Sequence, residues 1–174
     1  MRRRWVLVVP CVVLAMVAAC KKASESTAEK AAERAIERAT GNKADVNISG
    51  EAIKITTKEG GKDLAIEASD KGGVALPKGF PDDIPRYPGA AVLSSMSQGD
   101  AEGMVKLQTG DAIDRVYEFY DAKLRAGGWE IVGQVTTPEA RMISGKKGKR
   151  KVSMMMGGSK GKSSITVIYD DDQG

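Results

Sequence analysis

The spacing of apolar residues changes repeatedly along this chain, and each change predicts a new element. From Trp5 to Ala19 apolar residues run for 15 positions behind Arg2, Arg3 and Arg4, with Pro10 among them. Crossing hydrocarbon as a helix takes roughly 20 residues, and a proline interrupts a long straight helix. From residue 28 the spacing becomes three and four. Ala28, Ala31, Ala32, Ala35, Ile36 and Ala39 then line one face of an amphipathic helix. Ser26 or Thr27 can cap its start, and Gly41-Asn42 can end it. The stripe is mostly alanine, so a stalk or a helix docked on the next strands is expected. A coiled coil would need larger residues over more heptads.

Alternation follows. Val46 and Ile48, Ile53 and Ile55, then Leu64 and Ile66 alternate with polar residues, punctuated by Ser49-Gly50 and Gly60-Gly61. This predicts a three-stranded antiparallel meander with one apolar face. Pro77, Pro81, Pro85 and Pro88 then fall within 12 residues, which excludes regular helix and favours an extended linker or a clamped loop. Beyond it, AAVLSSMS and MVKLQT read as strands. Ile113, Val116, Tyr117, Tyr120 and Leu124, flanked by Phe119, line a helix with Asp111 as N-cap and Gly127-Gly128 as its stop. A strand from Trp129 and three more, around 141–144, 151–156 and 164–169, complete the pattern.

The fold class expected is therefore α+β. An N-terminal amphipathic helix and a three-stranded meander precede a second antiparallel sheet packed by one main helix at about 111–126. The segments are a cleaved signal (1–19), a tether and helix (20–44), a small β meander (45–75), a Pro-rich linker (76–90) and a C-terminal α+β domain (91–174).

The apolar start carries chemistry as well. Basic residues, a short apolar run and small residues are the pattern of a secretory signal. Val17-Ala18-Ala19-Cys20 resembles the lipobox of bacterial lipoproteins. That resemblance implies cleavage between Ala19 and Cys20, with a diacylglycerol on the Cys20 thiol, the group nucleophilic enough to form the thioether. It also implies a cell-envelope location. Lys21 rather than aspartate after the cysteine points to the outer membrane, with the body facing the periplasm or the surface. FPDDIPRYPGA and FYDAKLRAGGW, with a strand-rich end, resemble a domain of uncharacterised bacterial lipoproteins over residues 76–174. It implies fold and location and brings no site residues.

Charge and composition narrow the rest. The chain of 174 residues has a formal net charge of +4. Loss of residues 1–19 removes three arginines and leaves 24 basic against 23 acidic residues, so a generally basic nucleic-acid-binding surface is not indicated. Cys11 leaves with the signal and Cys20 carries lipid, so no intramolecular disulfide is expected. With 5% aromatic residues and 20 glycines, small separate cores are expected.

No histidine is present, which excludes Ser-His and Cys-His nucleophile pairs and HExxH zinc sites. MGGSKGKSS lacks the first glycine of a phosphate loop, having Met156 there, and runs into a strand rather than a helix. Ser144 with Lys147 and Ser159 with Lys162 satisfy S-x-x-K, but neither pair opens a helix. Asp170, Asp171 and Asp172 cannot all face one ion from a strand. Met154, Met155 and Met156, near Met142, invite a copper reading. Strand alternation instead sends Met154 and Met156 against the Ile113 helix and Met155 to the other face.

What remains is a basic stretch. Residues 141–162 hold eight basic residues and no acidic one, and include Lys146, Lys147, Lys149, Arg150, Lys151, Lys160 and Lys162. Solvated hairpin turns explain most of this, and an anion-binding surface is the alternative. The reading is a lipid-anchored, non-enzymatic binding or scaffold protein, without cofactor, metal or catalytic residues. Its partners are the membrane, through lipid at Cys20, and an envelope protein or polyanion such as lipopolysaccharide or peptidoglycan. Nucleic acid is not among them.

Overall fold

The computed structural model describes residues 25–159 and 161–171. The expectations placed on Ala19, Cys20, Lys160 and Asp172 lie outside these residues. Helix α1 (Glu25–Thr40) precedes strands β1 (Ala44–Ser49), β2 (Ala52–Glu59) and β3 (Lys62–Ser69). A long segment leads to β4 (Ala91–Gln98) and β5 (Glu102–Thr109). Helix α2 (Ile113–Ala126) is followed by β6 (Glu130–Thr136), β7 (Ala140–Lys147), β8 (Arg150–Ser159) and β9 (Lys162–Asp171).

All nine strands form one antiparallel sheet in the order β1-β2-β3-β4-β5-β9-β8-β7-β6. This corrects the expected pair of separate sheets. The elements occur where the periodicity put them, but β3 joins β4 directly, with Leu64 opposite Gln98 and Ala68 opposite Ser94. The second correction concerns α2, which starts at Ile113 with Ala112 at its N-cap and no side-chain cap. Asp111 is engaged elsewhere. It accepts from the Tyr87 hydroxyl at 2.7 Å and from Arg115 at 3.1 Å.

Register explains why the two halves looked independent. On one face, Ile143, Met154, Val167, Val105 and Ser95 stand opposite one another in turn on β7, β8, β9, β5 and β4. The same row continues through Glu67 and Lys54 to Asn47, all polar or charged. On the other face Ile168, Met104, Met96, Ile66, Ile55 and Val46 make a row that is buried only toward β1 and β2. The apolar side of the sheet thus changes face near β4.

Helix α2 covers the first face. Val116, Tyr120 and Leu124 are fully buried against Ile143, Val152, Met154, Met156 and Ile165. Fully burying a valine or leucine stabilises by about 1.5–3 kcal/mol, so this contact anchors the C-terminal half. Fifteen buried residues form one cluster here, where small separate cores were expected. Gly158 admits the Ile113 side chain, since a Cβ at that position would approach Ile113 Cδ1 to 2.8 Å.

The proline-rich segment crosses this cluster as a strap. Ile84 and Tyr87 are buried within it, Phe80 packs edge-on against Tyr169 at 5.3 Å, and Tyr87 packs edge-on against Phe119 at 5.0 Å. Asp83 fastens the strap to the β7–β8 turn. Its carboxylate meets Lys147 at 3.1 Å and also Arg150, while its carbonyl accepts from Trp129 Nε1 at 3.4 Å.

At the far edge, α1 lies along β1 with Ala28 buried. Glu33 accepts from the Val46 amide at 3.3 Å and Glu29 from the Ile48 amide at 2.8 Å. These carboxylates occupy edge amides that would otherwise offer pairing to another strand. Among the described residues no helix is long and apolar enough to cross a membrane.

Candidate functional site

The side chains between α2 and the sheet are buried. Val105, Val116, Tyr120, Leu124, Ile143 and Met154 meet there with no exposed surface. One polar atom stands out, because the Tyr120 hydroxyl is buried without a hydrogen-bond partner among the described residues. Burial pushes its pKa up; the Tyr87 backbone lies close enough to oppose this in part, but does not reach the hydroxyl with hydrogen-bond geometry. Burial also raises Tyr87, reinforced by its bond to Asp111, and raises Tyr169. None of these tyrosines neighbours a nucleophile and base arranged for catalysis. No group of three or more potential metal ligands occurs among the described residues.

The basic residues singled out from the sequence do not converge. Lys147 and Arg150 are occupied by Asp83, and Arg150 also lies 3.9 Å from Asp171. Lys146 and Lys151 are cross-strand neighbours on the opposite face, in a row that continues through Glu130 on one side and Asp170 on the other. Lys149 is in the β7–β8 turn, and Lys162 sits at the start of β9, donating to Gln108 Oε1 at 3.2 Å. Acidic neighbours therefore divide this stretch, although it reads as uniformly positive along the chain. The first S-x-x-K match is likewise separated, since Ser144 bonds Ser153 at 3.0 Å while its Lys147 binds Asp83; Ser159 and Lys162 are cross-strand partners on β8 and β9.

The open feature lies on the face away from α2. A groove of about 650 Å³ crosses β5, β9, β8 and β7, lined by Gln108, Ser164, Gly157, Ala140, Met155 and Thr166, with Lys162 at its edge. Its lining draws on two cross-strand rows. One is Gln108, Ser164, Gly157 and Ala140, and the other supplies Thr166 and Met155 and continues beyond the groove to Lys106 on one side and to Met142 and Val135 on the other. Alternation dictates the lining: Met154 and Met156 turn into the core, and so Met155 turns out, 43% exposed beside Val135 at 47%. Gly157 leaves the floor open, since a Cβ there would meet nothing within 4 Å. Lys106 and Lys162 have no acidic partner among the described residues. Apolar surface, hydroxyls and an amide thus lie beside two unneutralised cations.

Sequence reasoning placed Met155 on the outer face but did not find the groove. Gln108, Ala140 and Ser164 come from three strands, and only the register of β5, β9, β8 and β7 brings them together. The signal available was the outward Met142 and Met155 beside glycine at 157.

Residues 90–172, which run from the end of the strap through β9, match the family model described as START domain-like. The match covers just under half of the chain and suggests a ligand-binding type of domain. No curated protein and no solved structure matches the chain.

Proposed function

We propose that this protein is a lipid-anchored, non-enzymatic binding protein of the bacterial cell envelope, held through Cys20, which takes its ligand in the groove on the open sheet face. The observation that carries the binding site is the contrast between the two faces of the START-like region. On the helix-covered face the side chains are buried, while the other presents a groove of about 650 Å³ with exposed Met155 and with Lys162 at its edge and Lys106 nearby, neither of which has an acidic partner among the described residues. The anchor is supported by the charge, length and small residues leading to Cys20. Several acyl chains on one residue hold a protein to a bilayer stably, unlike a single chain. Polyanion binding through the basic turns has less support, because Asp83 already neutralises Lys147 and Arg150.

Gly157→Phe tests the site. A Cβ at this position meets no atom within 4 Å, so the ring can enter the groove without displacing backbone. The probe is anilinonaphthalene sulfonate, an anionic apolar fluorophore with the character the groove favours. Its binding should weaken at least tenfold in Gly157→Phe while the melting temperature is unchanged. Equal binding in the two proteins refutes the groove. The anchor is tested separately by labelled palmitate, which should enter the wild type and not Cys20→Ala.

A further inference from the structure

We infer that the outer face of α1 is a membrane-contact surface that rests on anionic lipid headgroups and sets the orientation of the tethered body. The inference adds a surface to the anchoring at Cys20 and relies on that reading for proximity. Lys30, Arg34 and Arg38 recur every fourth residue and so share one helix face. All three are exposed, and none has an acidic partner among the described residues. Their isolation follows from how the glutamates are used. Glu29 and Glu33, which could have paired along the helix, are half-buried and turned to the β1 amides. Glu37 is half-buried on the flank and Glu25 is exposed in the first turn. The face turned away from β1 is therefore predominantly positive.

Chain length brings this face to the bilayer. Four residues lie between Cys20 and Glu25, five steps along the chain with a reach of at most about 18 Å, and Lys21 and Lys22 add positive charge within it. Each lysine or arginine near an anionic surface contributes about 1 kcal/mol, within a Debye length of about 10 Å at 0.1 M salt. The acyl chains supply attachment, and α1 adds a preferred contact edge. With β1 toward the headgroups, the near side of the groove at β5 stands four strand spacings away, about 19 Å along the sheet. That keeps the groove clear of the bilayer.

The test uses residues 20–174 carrying Cys20→Ala, so that no acyl chain contributes; every described residue lies within this chain. Sedimentation with vesicles of phosphatidylcholine containing 30% phosphatidylglycerol, in low salt, should show binding that pure phosphatidylcholine does not support. The triple variant Lys30→Gln, Arg34→Gln, Arg38→Gln should bind about 100-fold more weakly with an unchanged melting temperature. The control Lys146→Gln, Lys149→Gln, Lys151→Gln should bind as the parent does. Binding that ignores phosphatidylglycerol, or that falls equally in both triple variants, overturns the proposal. Because the chain is unacylated, these results stand whatever palmitate labelling of Cys20 shows.

Discussion

Replacing Tyr120 with phenylalanine should stabilise the protein. The hydroxyl lies in the fully buried cluster under α2 and has no partner among the described residues. A buried hydroxyl left without a hydrogen bond costs about 1–3 kcal/mol. Removing it leaves an oxygen-sized void, and at about 24 cal/mol per Å³ that loss is on the order of 0.3 kcal/mol. The net gain is about 1.5 kcal/mol, or about 3–6 °C in melting temperature for a chain of this size. Circular dichroism melts at pH 7 measure it directly. Alkaline pH adds a second arm. Burial raises the Tyr120 pKa in the folded protein, so above about pH 10 the unfolded chain releases this proton and the native state keeps it. The unfolded state then binds fewer protons, and stability falls as pH rises, by about 1.4 kcal/mol per unit for one group. Tyr120→Phe should remove one proton's worth of that slope, while Tyr87 and Tyr169, also raised, preserve the rest. A variant that melts lower than the wild type at pH 7, or that keeps the full alkaline slope, would show that the hydroxyl is satisfied, and the reasoning would fail.

Asp83→Ala should loosen the strap by about 1–2 kcal/mol in urea unfolding, because Lys147 and Arg150 lose a shared, partly buried acceptor. The effect should shrink at 1 M salt, where the remaining charges are screened; a loss independent of salt would implicate packing instead. Glu29→Ala with Glu33→Ala should speed hydrogen exchange at the Val46 and Ile48 amides at least tenfold and leave Val105 and Val167 unaffected. Unchanged exchange at both edge amides would show that the carboxylates do not seal the edge.

How far this fold was legible follows from those residues. Local spacing suffices for a helix such as α2, whose Val116, Tyr120 and Leu124 meet the core at positions set by the 3.6-residue period. It suffices for the outward turn of Met155 as well. It does not reveal which strands pair across 21 residues. Glu67 and Ser95 are opposite one another, yet one belongs to a polar face and the other to the cluster side of the sheet. An apolar stripe that changes sides mid-sheet reads, in one dimension, as two sheets. The strap misleads for a related reason. Its prolines exclude helix as expected, but the burial of Ile84 and Tyr87 depends on α2 and β9 lying beneath them. Charge was the least legible property, because Asp83 meets Lys147 and Arg150 from more than 60 positions away.

The strand order also bears on how the chain comes together in time. β9 is the last strand along the chain, yet it lies in the middle of the sheet between β5 and β8. During synthesis the strands β1 to β5 and β6 to β8 can pair among themselves, but no strand pairing joins the two groups until residues 162–171 emerge. Ser163 must then find Thr109 across an intervening stretch of more than 50 residues, the kind of distant pairing that slows folding. The two inner edges stay exposed until that moment. A chain cut short of Lys162 would keep every other strand and lose the seam that makes them one sheet.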